Sequence, residues 1–189
     1  MNSKQRGFTL LELLITITIL AILINTGTQG MQWLSQRTQA STTRTNIERI
    51  FATARFSAVT DRTIVTICPL GPGNKCTSNW NNEVSIFKDP DNLKKLATPG
   101  QLLRVSKLAN RGNLVSSSAG SGARRYFQYD RNGAVKGSIG HLVWCPPSKN
   151  QTFAIQARIN FGGRLRWASD RDGDGVVEGS SGQAIQCPN

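Results

Sequence analysis

Gly7-Phe8-Thr9-Leu10-Leu11-Glu12, followed by mainly apolar residues as far as Ile24, is the stretch from which the rest of this chain is read. Lys4 and Arg6 form a short basic leader before the glycine. Phe8 to Ile24 has the make-up of a helix, and about 17 residues at about 1.5 Å each span about 25 Å. That is near the lower limit for crossing a bilayer. An ordinary signal peptide has no reason to carry an acid in its apolar region, yet Glu12 stands near the start of this one. A carboxylate at mid-bilayer is unfavourable by roughly 2.5–3.5 kcal/mol, so Glu12 calls for a partner.

A glycine, a phenylalanine and a glutamate four residues later resemble the class III signal of type IV pilins and type II secretion pseudopilins. The resemblance implies cleavage between Gly7 and Phe8 by a prepilin peptidase and N-methylation of Phe8. It implies that Glu12 pairs with the terminal amine of Phe8 in a neighbouring subunit during assembly. The organisation then expected is a leader over 1–7, a transmembrane and filament-core helix over 8–24, an amphipathic continuation over 25–60, and a β-rich globular head over 61–189. The implied location is the inner membrane, single-pass with the head in the periplasm, and afterwards the pilus or cell surface.

Residues 25–60 continue the helix. Ile47, Ile50, Phe51, Ala54 and Ala58 recur at helical spacing and make one apolar face, which reads as the seam against the head. Arg44, Glu48, Arg49 and Arg55 lie mostly off it. Gly27 and Gly30 interrupt the region between the anchor and this half, and each costs about 1 kcal/mol against alanine. From Thr63 the pattern changes to short runs of strand type: Thr63–Cys68, Glu83–Lys88, Gln101–Lys107, Arg124–Tyr129, His141–Cys145, Thr152–Asn160 and Arg164–Ala168. Turn signals separate them, including Asn132-Gly133 and Gly162-Gly163, and Ser116 to Gly122 reads as a flexible loop. A long helix followed by antiparallel strands makes the fold α+β.

Four cysteines in a domain expected outside the inner membrane favour disulfides, and three connectivities are open. Cys68 and Cys76 flank a Pro/Gly turn, which favours Cys68–Cys76. Cys145–Cys187 would then tie the tail to a core strand. A strand ending in Cys68-Pro69, then Cys76, Trp80 and a strand running to Phe87-Lys88-Asp89 resemble the GspH/FimT family of minor pilins and pseudopilins. Tyr126 to Gly133, Leu142-Val143-Trp144-Cys145 and Gly163-Arg164-Leu165-Arg166 follow in the order of that family. The resemblance covers nearly the whole chain.

Arg164 and Arg166 project from one face of a strand, about 7 Å apart, a spacing that suits phosphates on a nucleic-acid backbone. Lys149, Arg158 and Arg171 are near in sequence and would widen the patch. In the FimT-like branch this motif is associated with DNA binding in natural transformation, so the resemblance implies double-stranded DNA as a partner. The rival reading pairs the two arginines with Asp170 or Asp172. The net charge of +12, or +10 once Lys4 and Arg6 leave, favours polyanions. Asp170-Arg171-Asp172-Gly173-Asp174-Gly175 copies the first half of an EF-hand loop, with Glu178 at the ninth position and Ser181 at the twelfth. It reads either as a solvated turn or as a weak calcium site at Asp170, Asp172 and Asp174. No other cofactor is expected. One histidine, His141, and no nucleotide loop or nucleophile elbow leave no basis for catalysis. The chain is therefore read as a minor pilin that joins other pilins through its first helix and binds DNA. The alternatives are pseudopilin H of a type II secretion system and a purely structural minor pilin that starts pilus assembly.

Overall fold

The structure is a computed structural model that describes residues 9–119, 122–137, 139–179 and 181–188, the side chains of 25–29 excepted. The cleavage site expected at Gly7 and Phe8 lies outside these residues. Helix α1 runs over Leu10–Thr60, straight through Gly27 and Gly30. The chain forms two compact units, one up to Arg37 and one over Thr38–Asn189. In the first unit the apolar side chains from Leu10 to Ile24 are exposed, and Arg37 lies 5.1 Å over the ring of Trp33. Among the described residues no helix is long and apolar enough to cross a membrane. The expected span over 8–24 is thus not confirmed. The apolar run from Leu10 is short, contains Glu12, Thr16 and Thr18, and turns polar at Asn25-Thr26.

The second unit is built from strands β1 (Val65–Pro69), β2 (Val84–Lys88), β3 (Leu102–Ser106), β4 (Asn113–Ser116), β5 (Ser118–Ala119), β6 (Gly122–Ala123), β7 (Phe127–Tyr129), β8 (Gly140–Cys145), β9 (Ile155–Ile159) and β10 (Leu165–Trp167). Two four-stranded antiparallel sheets result, ordered β3-β2-β1-β7 and β10-β9-β8-β4, with β5 and β6 as a small hairpin. The fold is α+β. The apolar face of α1 meets the inner faces of both sheets. Ile47, Ile50, Phe51, Ala54 and Ala58 are buried with Ile67, Ile86, Phe127, Leu142, Trp144 and Ile159 in one core. Phe51 meets Phe127 edge-on at 5.3 Å between centroids, an arrangement aromatic pairs favour.

Several expected elements shift for local reasons. Ser116 to Gly122 contains strand residues where a flexible loop was expected, because β5 and β6 pair at Ser118 with Ala123. β4 carries no alternation signal; it holds its place by pairing with β8 from Asn113–Cys145 to Ser116–Leu142. The expected Arg124–Tyr129 strand starts only at Phe127. The Arg124 carbonyl is taken by the Trp80 indole N–H at 2.7 Å and the Ser116 hydroxyl at 2.9 Å, so it is not free for a ladder. The strand expected from Thr152 starts at Ile155, since Asn150 accepts from the Thr152 N–H and caps a 3-10 turn over Gln151–Phe153.

Outside the main core lie two satellite clusters. Cys68 and Cys76 are joined and pack with Phe87 and Leu96. Cys145 and Cys187 are joined across 42 residues. Around them Val143, Ala154 and Ile185 pack with Val177 and Ala168, so the C-terminal tail covers part of the outer face of β8 beside the start of β9.

Candidate functional site

The turn before β10 is fixed from several sides. The Gly163 N–H donates to the Asn160 carbonyl at 3.0 Å, and the Asn160 side chain accepts from the Arg164 N–H at 2.9 Å. Gly163 has φ +76, and a Cβ there would strike the Gly133 carbonyl oxygen and come within 2.9 Å of Tyr129 Cε1. Only glycine satisfies both conditions. Arg55 of α1 donates to the carbonyls of Gly133 at 2.9 Å and Gly162 at 3.2 Å. It thereby ties the two glycine turns together. The Tyr129 hydroxyl donates to the Gly163 carbonyl at 3.2 Å, and burial pushes its pKa up to about 12 despite nearby Arg55.

This anchoring aims β10. Leu165 and Trp167 face inward: the Trp167 indole N–H donates to Glu48 at 2.6 Å, and Arg44 sits 4.7 Å over its ring. Arg164 and Arg166 are exposed, as strand alternation requires. Arg166 pairs directly opposite Arg158 of β9, and Arg158 directly opposite His141 of β8. Directly opposed side chains have Cβ atoms about 5 Å apart, and like charges so placed destabilise a sheet. Among the described residues no ion pair involves Arg158, Arg164 or Arg166. The carboxylates of Asp170 and Asp172 instead accept from backbone N–H groups of their own loop. His141 is half-buried; burial first, then Arg158 and Arg124, lower its pKa below 6.5. It is neutral at pH 7.

The row Arg166–Arg158–His141 lies on the part of the outer sheet face that the tail leaves uncovered, beside a hollow of about 250 Å³ lined by Ser117, Ile139, His141 and Arg158. The structure does not bring every expected cation there. Lys149 sits in the turn between β8 and β9, its N–H donating to Pro146, at the end of β9 away from Arg164. Arg171 follows β10 into the aspartate loop, where its N–H donates to Glu178 at 2.7 Å. A second basic concavity escaped the sequence reading. It measures about 610 Å³ and is lined by Lys75, Lys94, Lys95, Arg125 and Tyr126. Lys94-Lys95 and Arg125 were its visible signal, but three separate segments must fold together to make it.

Residues 44–163 match the family described as "Type II transport protein GspH". The chain belongs to that family. Residues 2–24 match the "Prokaryotic N-terminal methylation motif". The fold of this GspH-family chain is similar to that of the type IV minor pilin FimU of Pseudomonas aeruginosa (strain PAO1), with a TM-score of 0.51 and 17% identity over 82% of this chain and 99% of that one. A second crystal form of FimU gives 0.47, at 18% identity over 77% and 99%. No curated protein matches the sequence.

Proposed function

We propose that this GspH-family chain is a minor subunit of a type IV pilus that binds double-stranded DNA without sequence preference through Arg164, Arg166 and Arg158. It joins other pilins through its N-terminal helix after a prepilin peptidase has cut before Phe8, and the span over 8–24 holds it in the inner membrane until then. The single observation that carries the DNA reading is the same-face arginine row, which has no ion-pair partner among the described residues. Two guanidinium groups directly opposite each other in a sheet repel unless an anion lies across them. No aromatic row accompanies them, so the contacts fall on phosphates and carry no sequence information.

The experiment is DNA binding by the full chain in detergent micelles, followed by fluorescence anisotropy on a labelled duplex. Affinity is micromolar or weaker near physiological salt and falls by about 0.9 log units per log unit of salt for each phosphate neutralised. Arg164→Gln with Arg166→Gln weakens binding and flattens the salt slope by up to about two, while the thermal melt is unchanged. Binding by the folded double variant at wild-type strength rejects this site. Loss of binding only in Lys94→Gln with Lys95→Gln moves it to the lysine-lined concavity.

A second reading, a pseudopilin of a type II secretion system, is favoured by the family description itself. It gains if neither double variant changes binding and deletion of the protein stops secretion rather than pilus formation.

A further inference from the structure

Beyond β10 the chain enters a loop from Asp170 to Glu178 that the DNA reading does not use. One carboxylate oxygen from each of Asp170, Asp172, Asp174 and Glu178 lies within 4.8 Å of the others. The three aspartates are exposed, and they accept from the N–H groups of Gly173, Gly175, Asp174 and Val176 at 2.7–3.2 Å. Such bonds shape a loop whether or not it holds an ion. Glu178 is different: it is only 4% exposed, and its Oε1 has no hydrogen-bond partner among the described residues. Its Oε2 accepts from the Arg171 N–H at 2.7 Å. An orphaned carboxylate oxygen at full burial is costly. The Glu178 side chain that carries it brings one carboxylate oxygen into the cluster of three aspartates, with no cationic side chain paired to them among the described residues. A cation at the centre resolves both problems together.

We propose that Asp170, Asp172, Asp174 and Glu178 form a calcium site. The donor set is all oxygen, which excludes the softer metals that need nitrogen or sulfur. Asp170, Asp172 and Asp174 occupy the first, third and fifth places of an EF-hand loop, Gly175 (φ +85) the sixth and Glu178 the ninth. Ser181 stands where such a loop supplies a bidentate glutamate. Water completes the shell in its place. A flexible loop with water-completed coordination suits calcium over magnesium, which demands near-octahedral geometry. The missing bidentate ligand puts the affinity in the range of extracellular modules, about 10⁻⁴–10⁻³ M.

Occupancy braces the tail. Glu178 bridges to Ala184, and the Ile185 N–H donates to the Val177 carbonyl at 3.1 Å. Val177 and Ile185 pack on Val143 and Cys145. An ion held by Glu178 therefore fixes the strip of tail that covers β8.

The test is calorimetric titration of calcium chloride into the full chain in detergent micelles after EDTA treatment, with the thermal melt followed in parallel. One site fills, and Tm rises by roughly 3–6 °C at about tenfold the Kd. Magnesium at the same concentration gives less. Glu178→Gln weakens calcium binding at least tenfold. Should that variant fail to fold, Asp172→Asn at an exposed ligand weakens binding in a folded protein. No heat and no Tm change at about ten times the weakest affinity of that class overturns the site. So does Asp172→Asn binding calcium as well as wild type. An equal response to magnesium overturns the assignment to calcium.

Discussion

At 3% exposure, Asp89 accepts four hydrogen bonds: from the Thr66 hydroxyl at 2.8 Å, Gln128 Nε2 at 3.1 Å, and the N–H groups of Leu93 and Lys94 at 2.7 and 3.0 Å. A buried charge is tolerated when its lone pairs are filled in this way. It gives a physical reason for the acid that closes Phe87-Lys88-Asp89: the carboxylate holds the turn after β2 against β1 and β7. Asp89→Asn turns an amide donor toward these donors, and the expected loss is about 3 kcal/mol, read by urea unfolding of the full chain in detergent. His141 gives a pH signature. Its folded pKa is lowered from 6.5, so below pH 6.5 the unfolded chain takes up a proton that the folded chain refuses. Stability falls as the pH drops through 6.5 until the folded pKa is reached, and is unaffected by this group above it. His141→Gln removes that part of the slope in a pH series of thermal melts. A slope unchanged in the variant assigns it to other groups.

Among elements, the hairpin β9–β10 shows why a short arginine motif needs a distant helix. Its turn is held by Arg55 on α1, by the Tyr129 hydroxyl, and by the absence of a side chain at Gly163. Gly163→Ala puts an L-residue at φ +76, which costs about 1–2 kcal/mol from the backbone alone. The contact with Gly133 adds to that, so a total above about 2 kcal/mol is expected by chemical denaturation. An alanine variant as stable as wild type would show that the two turns are not in contact. Helix α1 was readable because its apolar residues repeat at helical spacing over several turns. β4 was not, because a strand buried at Leu114 alone has no period to detect.

For the whole molecule, the two disulfides restrain very different lengths of chain. Cys68–Cys76 closes 8 residues and Cys145–Cys187 closes 42. The chain-entropy relation gives about 2.5 and about 4 kcal/mol respectively. Cys145→Ser with Cys187→Ser is therefore expected to lower Tm more than Cys68→Ser with Cys76→Ser, a ranking that one set of melts decides. The reverse ranking would show that the tail is held by the packing of Val177 and Ile185 rather than by the covalent tie. The N-terminal pattern, the helical face of Ile47 to Ala58, the strand–turn alternation and the glycine at 163 are local properties of the chain. Periodicity, a helix start and a positive φ are dictated within a few residues, so the α+β class and the shared face of Arg164 and Arg166 were legible without coordinates. Register is not local. Only the pairing of β9 with β8 and β10 put Arg158 between Arg166 and His141, left Lys149 at the far end of β9, and gathered Lys75, Lys94 and Arg125 around one concavity. The same holds for Glu178: its sequence position marked a ninth ligand, but its burial beside three aspartates, with one oxygen unpartnered among the described residues, arises only when the tail folds back over β8.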